Sequence, residues 1–282
     1  MNNLFESISF QTSKITTQKY STSFSLGIRF LKKEIRNPIY AIYGFVRFAD
    51  EIVDTFHEFN KRELFEKFKK DTYDAIEKKI SLNPILNSFQ ITVNKYNIEY
   101  YLIETFLKSM EMDLYKSDYD TEGYKNYIVG SAEVVGLMCL RVYCNNDEAR
   151  YRLLKEYAES LGSAYQKINF LRDLSADYQQ LGRVYFPNVD MREFNEKTKQ
   201  KIIEDIEIDF QKGFTGLLKL PKNSRFGVYL SYVYFYTLLQ KIRFIPSSEI
   251  LKKRVRIKNR VKLMLLFKSY IKDKLNMIEW QS

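Results

Sequence analysis

The chain has 282 residues, 45% of them hydrophobic, with only 10 Gly and 5 Pro, a composition that can bury a large core and excludes disordered and collagen-like classes. A single histidine, His57, and two cysteines, Cys139 and Cys144, exclude a disulfide scaffold and a multi-His or multi-Cys zinc site, so any metal must be held by oxygen. Lys and Arg number 45 against 35 Asp and Glu, a formal +10, which implies an anionic partner: nucleic acid, a phospholipid surface or a phosphorylated substrate.

Taken in chain order, the first 14 residues carry Glu6 among scattered Ser, Thr and Gln with no apolar h-region, so no secretory signal is expected and the reading is cytoplasmic. Apolar residues then recur at three and four, the helical period, while strand-like alternation is scarce. Pro38 suits the first turn of a helix running to about residue 59, followed by shorter helical segments in 61–80 and 84–113. Longer helices are expected over 121–144, 147–180, 224–243 and 248–277, about nine or ten helices in all. Phe226 to Gln240 holds 15 residues without a charge, short of the roughly 20 that a membrane span needs, and reads as a buried core helix. There is no repeat at a fixed period and no long linker. The expectation is an all-α fold in one domain, residues 1–282.

Two of these helices carry polar stripes. Tyr40, Tyr43, Arg47, Asp50 and Asp54 are spaced three, four, three and four, and so share one face of a helix whose other positions include Ile39, Ile42, Phe45 and Val53. In the second, Gln166, Asn169, Asp173 and Asp177 share a face, with Arg172 beside them. Carboxylates at i and i+4 lie about 6 Å apart along the axis and disfavour the helix unless a cation sits between them. Magnesium suits such a pair, because it takes one or two carboxylates, waters and phosphate oxygens. A lone D-x-x-x-D is usually a solvated surface pair. Two copies, each beside an arginine able to grip phosphate, imply two acidic helix faces opposed across a cavity and bridged by divalent metal and diphosphate.

These stretches resemble the squalene/phytoene synthases of the all-helical isoprenoid synthase fold. Tyr43 to Asp54 is similar to that family's first aspartate-rich motif, and Asn169 to Asp177, followed by Gly182-Arg183-Val184-Tyr185-Phe186-Pro187, to its second. Tyr127 to Met138 resembles the segment between them, Tyr20-Ser21-Thr22-Ser23-Phe24 a short flap that closes on diphosphate, and Tyr236 to Ile242 a helix that contributes a tyrosine. The matches run in order from about residue 18 to 262.

The resemblance implies a head-to-head condensation of two prenyl diphosphates. Asp50, Asp54, Asn169, Asp173 and Asp177 are then the expected ligands of Mg²⁺, or Mn²⁺ in its place. Arg47 and Arg172 are expected on the diphosphate, with Tyr20, Ser21, Thr22, Ser23, Tyr43, Gln166 and Tyr236 completing the shell, and Tyr127 orienting it or relaying a proton. With no dinucleotide fingerprint, the reading is phytoene synthesis from two geranylgeranyl diphosphates without NADPH. Squalene or dehydrosqualene synthesis from farnesyl diphosphate is the alternative, and a non-catalytic assembly protein the remote one. The sequence departs from the family at Tyr20, where histidine is common, at Glu133 in a small-residue stretch, at Ala176 and at the extra Leu181. These departures bear on cavity shape and so on substrate length.

His57 reads as a surface residue, and Cys139 and Cys144 as apolar packing. Lys252 to Lys262 holds seven bases and no acid. No nucleic-acid module accompanies it, so nucleic acid is set aside. Contact with anionic lipid competes with a solvated face from which Arg254 turns toward diphosphate.

Overall fold

The computed structural model describes residues 4–115, 119–181, 185–187, 189–190, 193–275 and 277–278, with the backbone alone for 176–181. The described residues form helices and no strand, as the periodicity predicts.

The chain opens with α1 (Leu4–Tyr20) and α2 (Thr22–Arg29), separated by Ser21. Ser21 leaves the helical conformation and caps α2, its hydroxyl accepting from the Phe24 N–H at 3.2 Å. α1 turns a face of small polar residues inward. Ser13 bonds Ser88 at 2.7 Å and comes so close to Gly44 that a Cβ there would meet the Ser13 hydroxyl at 2.8 Å. α3 (Lys33–Asp54) therefore lies close against α1.

α3 begins five residues earlier than Pro38 led one to expect, and ends at Asp54 rather than near 59. Ile35 is buried beside Leu31, so the extra turn gains apolar contact that offsets the hydrogen bond Pro38 cannot donate. The inner face of α3 puts Phe45 at the centre of the core, stacked on Phe89 at 3.8 Å and within 5.6 Å of Phe68. Phe68 and Phe89 belong to α4 (Lys61–Lys78) and α5 (Pro84–Tyr96).

The expected helix over 84–113 is two helices, because Asn97 adopts the left-handed conformation that ends α5 before α6 (Tyr100–Met112) begins. The 121–144 segment is helical throughout but changes gauge: α7 (Thr121–Ile128) passes through a π-helical turn, Val129–Glu133, into α8 (Val134–Cys144). Thr121–Cys144 is the one described helix long and apolar enough to cross a membrane, with a mean hydropathy of 1.4; 61% of its apolar window is buried inside the molecule, as expected of a core helix.

α9 (Glu148–Leu181) is the central strut, about 51 Å long, packed on α8, on the π-helical turn and on α10 (Glu196–Lys219). α10 approaches it at Gly213 and Gly216; a Cβ on Gly216 would sit 2.1 Å from that of Tyr157. α11 (Arg225–Phe244) crosses α2 backbone to backbone, where a Cβ on Gly227 would meet the Gly27 carbonyl at 2.7 Å. The helix expected over 248–277 is broken: α12 (Ser247–Ile250) is a single turn, an extended stretch over 254–258 buries Val255 and Ile257, and α13 (Asn259–Lys274) follows. Alternation of buried apolar with exposed basic residues, from Arg254 to Lys258, is what releases this stretch from the helix.

Candidate active site

A cavity of about 550 Å³, open at one side, is lined chiefly by α2, α3, α8, α9, α10 and α11, with α6, α7 and the π-helical turn adding to its wall; its volume is within the usual range for small-molecule sites. Along α9 its lining runs from Leu154 to Asp173, about 28 Å of helix axis. Its walls change character over that length. Leu154, Tyr157, Leu161, Leu217 and Leu220 line one end, and the charged residues gather at the other.

At the charged end the two polar stripes face each other, as the spacing predicts. α3 contributes Tyr43, Arg47, Asp50 and Asp54; α9 contributes Gln166, Asn169, Arg172 and Asp173; Tyr20 and Ser21 enter from the α1–α2 junction, and Arg254 from the extended stretch. Tyr40 lies on the same α3 stripe but is buried and outside the cavity lining.

On α3, Arg47 donates to Asp50 and, at 2.5 Å, to Glu51, while its guanidinium stacks 4.3 Å over the Tyr20 ring. Burial, reinforced by Asp54 and only partly opposed by Arg47, pushes the Asp50 carboxyl up to about 7. Asp113 and Glu51 add to the same rise. Tyr43 stacks on Phe24 at 5.0 Å, and burial raises its phenol against the opposing Ser21 hydroxyl.

On α9, Asp173 is held by two guanidinium forks. Arg172 donates at 2.9 and 2.5 Å, and Arg254 at 2.6 and 3.1 Å. One turn earlier, Asn169 donates to Gln166 at 3.4 Å while its own amide oxygen is buried without a hydrogen-bond partner.

An aromatic cluster lines the same cavity. Phe170 stacks on Tyr185 at 4.1 Å, and Tyr127 lies 5.3 Å from Tyr185 and 5.8 Å from Phe170. All three line the cavity. The Tyr127 hydroxyl donates to Asp113 at 2.7 Å, as Tyr119 does at 3.0 Å, and burial raises the Tyr127 phenol well above its ordinary range.

Several expected site residues stand elsewhere. Tyr236 is a correction: it is buried outside the cavity, edge-on to Phe210 at 5.8 Å, and its neighbour Phe235 lines the cavity in its place, stacked on Tyr165 at 4.1 Å. The adjacent positions point 100° apart on the helix, and the motif match placed the tyrosine one position off the cavity face. Thr22 and Ser23 do not line the cavity either; Thr22 is exposed, and its hydroxyl accepts from Lys262 at 3.1 Å. They follow Ser21 into the first turn of α2, which rotates them outward. The Asp177 side chain and Gly182 to Val184 lie outside the described residues. His57 is exposed, and both cysteines are buried, Cys139 against the cavity.

The sequence reading missed Asp113 and gave Glu51 no role. Glu51 was legible, one turn from Arg47. Asp113 was not, because its two tyrosine donors lie 6 and 14 residues away, across segments whose packing no local pattern fixes.

This is an all-helical architecture with a mouth lined by acids and arginines on a long apolar cavity. The squalene/phytoene synthase family pattern matches residues 17–261, and the chain belongs to that family. Among curated proteins it is similar to a 4,4'-diapophytoene synthase of Staphylococcus haemolyticus, 28% identical over 194 residues, which cover 66% of this chain and 65% of that enzyme. It is also similar to a 15-cis-phytoene synthase of Synechocystis, 26% identical over 270 residues, 83% of this chain and 76% of that enzyme. The match to a maize phytoene synthase, at 30% identity, covers 60% of this chain and 42% of the plant protein, so the chain spans less than two thirds of several curated relatives. Among solved structures, a dehydrosqualene synthase in complex with ligand superposes with a TM-score of 0.79 at 20% identity, covering 96% of this chain and 98% of that one. A squalene synthase from Alicyclobacillus acidocaldarius gives 0.74 at 20% identity, covering 86% and 95%. Both share the fold.

Proposed function

We propose that this protein is a prenyltransferase that joins two geranylgeranyl diphosphates head to head into phytoene, through a cyclopropylcarbinyl (prephytoene) diphosphate. The observation that carries the reading is the mouth of the cavity: Asp173, gripped by Arg172 and Arg254, faces Asp50 and Asp54 where a long apolar chamber begins. Such a chamber takes a prenyl tail, and its charged end takes diphosphate.

The donor set fits Mg²⁺. Asn169 presents a buried oxygen without a partner, and the Asp50 carboxyl, raised by burial and by Asp54, lacks the compensating positive charge a dication would bring. Among the described residues no three acidic, His or Cys side chains already converge on one point, so substrate oxygens and water have to complete each coordination shell. Asp50, Asp54, Asn169 and Asp173 would hold the ion, with Asp177 as the sequence proposes. When bound, Mg²⁺ supplies neutralisation of the charge that builds on the leaving diphosphate.

The chain's own groups perform the rest. Arg47, Arg172 and Arg254 turn from their carboxylates to the diphosphate oxygens, and in a chamber sheltered from water that attraction strengthens as the carbon–oxygen bond breaks. The bonding pair leaves with the diphosphate and an allylic cation remains. Tyr127, Phe170 and Tyr185 present ring faces to that cation, while the apolar walls keep water from capturing it. The double bond of the second substrate closes on the cation and a proton is lost as the cyclopropane forms. Loss of the second diphosphate then opens the ring to a joined cation, which gives up a second proton, to the released diphosphate, and leaves the neutral hydrocarbon with its central double bond.

A second reading, farnesyl diphosphate as substrate with dehydrosqualene as product, draws on the similarity to the S. haemolyticus enzyme. Incubating the purified protein and Mg²⁺ with geranylgeranyl or farnesyl diphosphate, with and without NADPH, and analysing the hydrocarbons separates the two. A C40 product without NADPH is expected. A C30 product selects the second reading, and no hydrocarbon from either substrate overturns both.

A further inference from the structure

α13 packs Val261, Leu265 and Ser269 against the protein and leaves a second apolar face outward. Leu263, Met264, Phe267, Tyr270, Ile271 and Leu275 are 41 to 68% exposed, whereas buried Ser269 marks the side that faces the protein. At 3.6 residues per turn these six positions fall within one arc of about 140°, a continuous outward apolar face. Isolated exposed apolar residues are ordinary, but a full helix face of them marks a surface with a partner.

The charges around that face say which partner. From Leu251 to Leu275 the chain has ten bases and one acid, Asp273. Arg260 and Lys274 close the face at its two ends along the helix axis and Lys268 stands at its border, all exposed, and Arg256 and Lys258 are exposed just before the helix. A second copy docked through this face would bring like charges together, and that opposes self-association. Apolar residues in the centre with long basic side chains at the rim suit a helix lying in the interface of an anionic bilayer, its bases reaching to the headgroups.

We propose that α13 is a membrane-docking helix that seats the protein on anionic lipid through Leu263, Met264, Phe267 and Ile271. Its position gives this a purpose. Lys262 bonds Thr22, next to cavity-lining Ser21, and Tyr270 lies 6.0 Å edge-on from Phe226, next to cavity-lining Gly227. The docking helix is thus mounted on α11, whose other side forms the cavity wall, so the protein rests on lipid close to where an apolar product is made. That purpose rests on the proposed function; the docking does not, and it is measured without substrate.

The test is co-sedimentation of the full chain with vesicles of phosphatidylcholine alone and of equimolar phosphatidylcholine and phosphatidylglycerol. The protein is expected on the anionic vesicles, with binding that falls as salt rises. The double variant Leu263→Gln/Phe267→Gln should weaken that binding at least about tenfold while circular dichroism and Tm stay unchanged, because both side chains already face water. Lys268→Gln/Lys274→Gln should weaken it less and flatten its salt dependence. Absence of binding, equal binding to both vesicle types, or wild-type binding by the Leu263/Phe267 variant overturns the proposal. So does self-association in sedimentation equilibrium that this variant abolishes without any vesicle binding, which would make the face an interface between copies. If the protein binds vesicles yet makes no hydrocarbon, the docking stands and the catalytic reading falls.

Discussion

In sequence the two acidic helices look like twins; in the folded protein they are opposites. Asp50 on α3 shares one arginine with Glu51, lies near Asp54 and Asp113, and is pushed up to about 7. Asp173 on α9 is held by two arginines. The difference comes partly from the helices' own residues, Asp54 and Glu51 beside Asp50 and Arg172 beside Asp173, and partly from what lies against each, Asp113 near α3 and the 254–258 stretch on α9. One side of the mouth carries surplus negative charge that favours a cation, and the other holds its arginines on a carboxylate from which diphosphate can draw them.

The harshest test of that division is Asp173→Asn. If Asp173 both binds metal and holds the two arginines in place, product formation should fall at least about 10³-fold with helical circular dichroism unchanged. Turnover within tenfold of wild type would remove Asp173 from the machinery. Arg254→Met should cost less, about 10 to 100-fold in kcat/KM, because Arg172 still grips the same carboxylate. An effect as large as that of Asp173→Asn would mean Arg254 alone carries the diphosphate.

The α3 side is tested by pH. A carboxyl raised from 3.8 to about 7 on folding holds its proton more tightly in the folded state, so its contribution to stability is full below about pH 4 and is lost as pH climbs to 7. Asp50→Asn removes that loss. In EDTA the variant and wild type should melt alike at pH 4, whereas at pH 8 the variant should be more stable by about 1–2 kcal/mol, or a few degrees in Tm. The figure is kept low because 31% of the Asp50 side chain is open to the cavity, where water screens it. A Tm difference that does not change with pH would place the negative surplus elsewhere.

How much of this was legible beforehand follows from the range of the interactions. The i, i+3, i+4 spacing of Tyr43, Arg47, Asp50 and Asp54 is a property of one helix, and it placed all four on the cavity. Arg254 belongs to the basic run 252–262, which in sequence reads as a helix face with this arginine turned toward diphosphate; its place on Asp173 depends instead on an extended stretch. Breaks of that kind were missed wherever their cause was tertiary or a single backbone angle: the left-handed Asn97, the buried alternation of Val255 and Ile257, and the extra turn before Pro38. Asp113 reaches the site through Tyr119, Tyr127 and the field at Asp50, a route that no local spacing in the sequence marks.

That indirect route makes Tyr127→Phe informative. The Tyr127 hydroxyl is committed to Asp113, so its removal leaves that buried carboxylate with one fewer donor and should cost about 1–2 kcal/mol of stability. If the role is to hold Asp113, and through it the charge near Asp50, kcat should fall only several-fold and the pH dependence of activity should shift. A loss beyond about 10²-fold with an unshifted profile would instead make Tyr127 a proton carrier to the reacting atoms.

The smallest effect is expected at Tyr236, where motif matching and structure disagree. The ring packs between Phe210 and Tyr232 on the side of α11 turned away from the cavity, and Phe235 faces the substrate chamber. Tyr236→Phe keeps that packing and should leave kcat/KM within about twofold. Phe235→Ala opens the cavity wall beside Tyr165 and should change activity or product length more than Tyr236→Phe does. Were the order reversed, the α11 register facing the cavity would be one residue off, and the tyrosine of the motif would regain its place on the diphosphate.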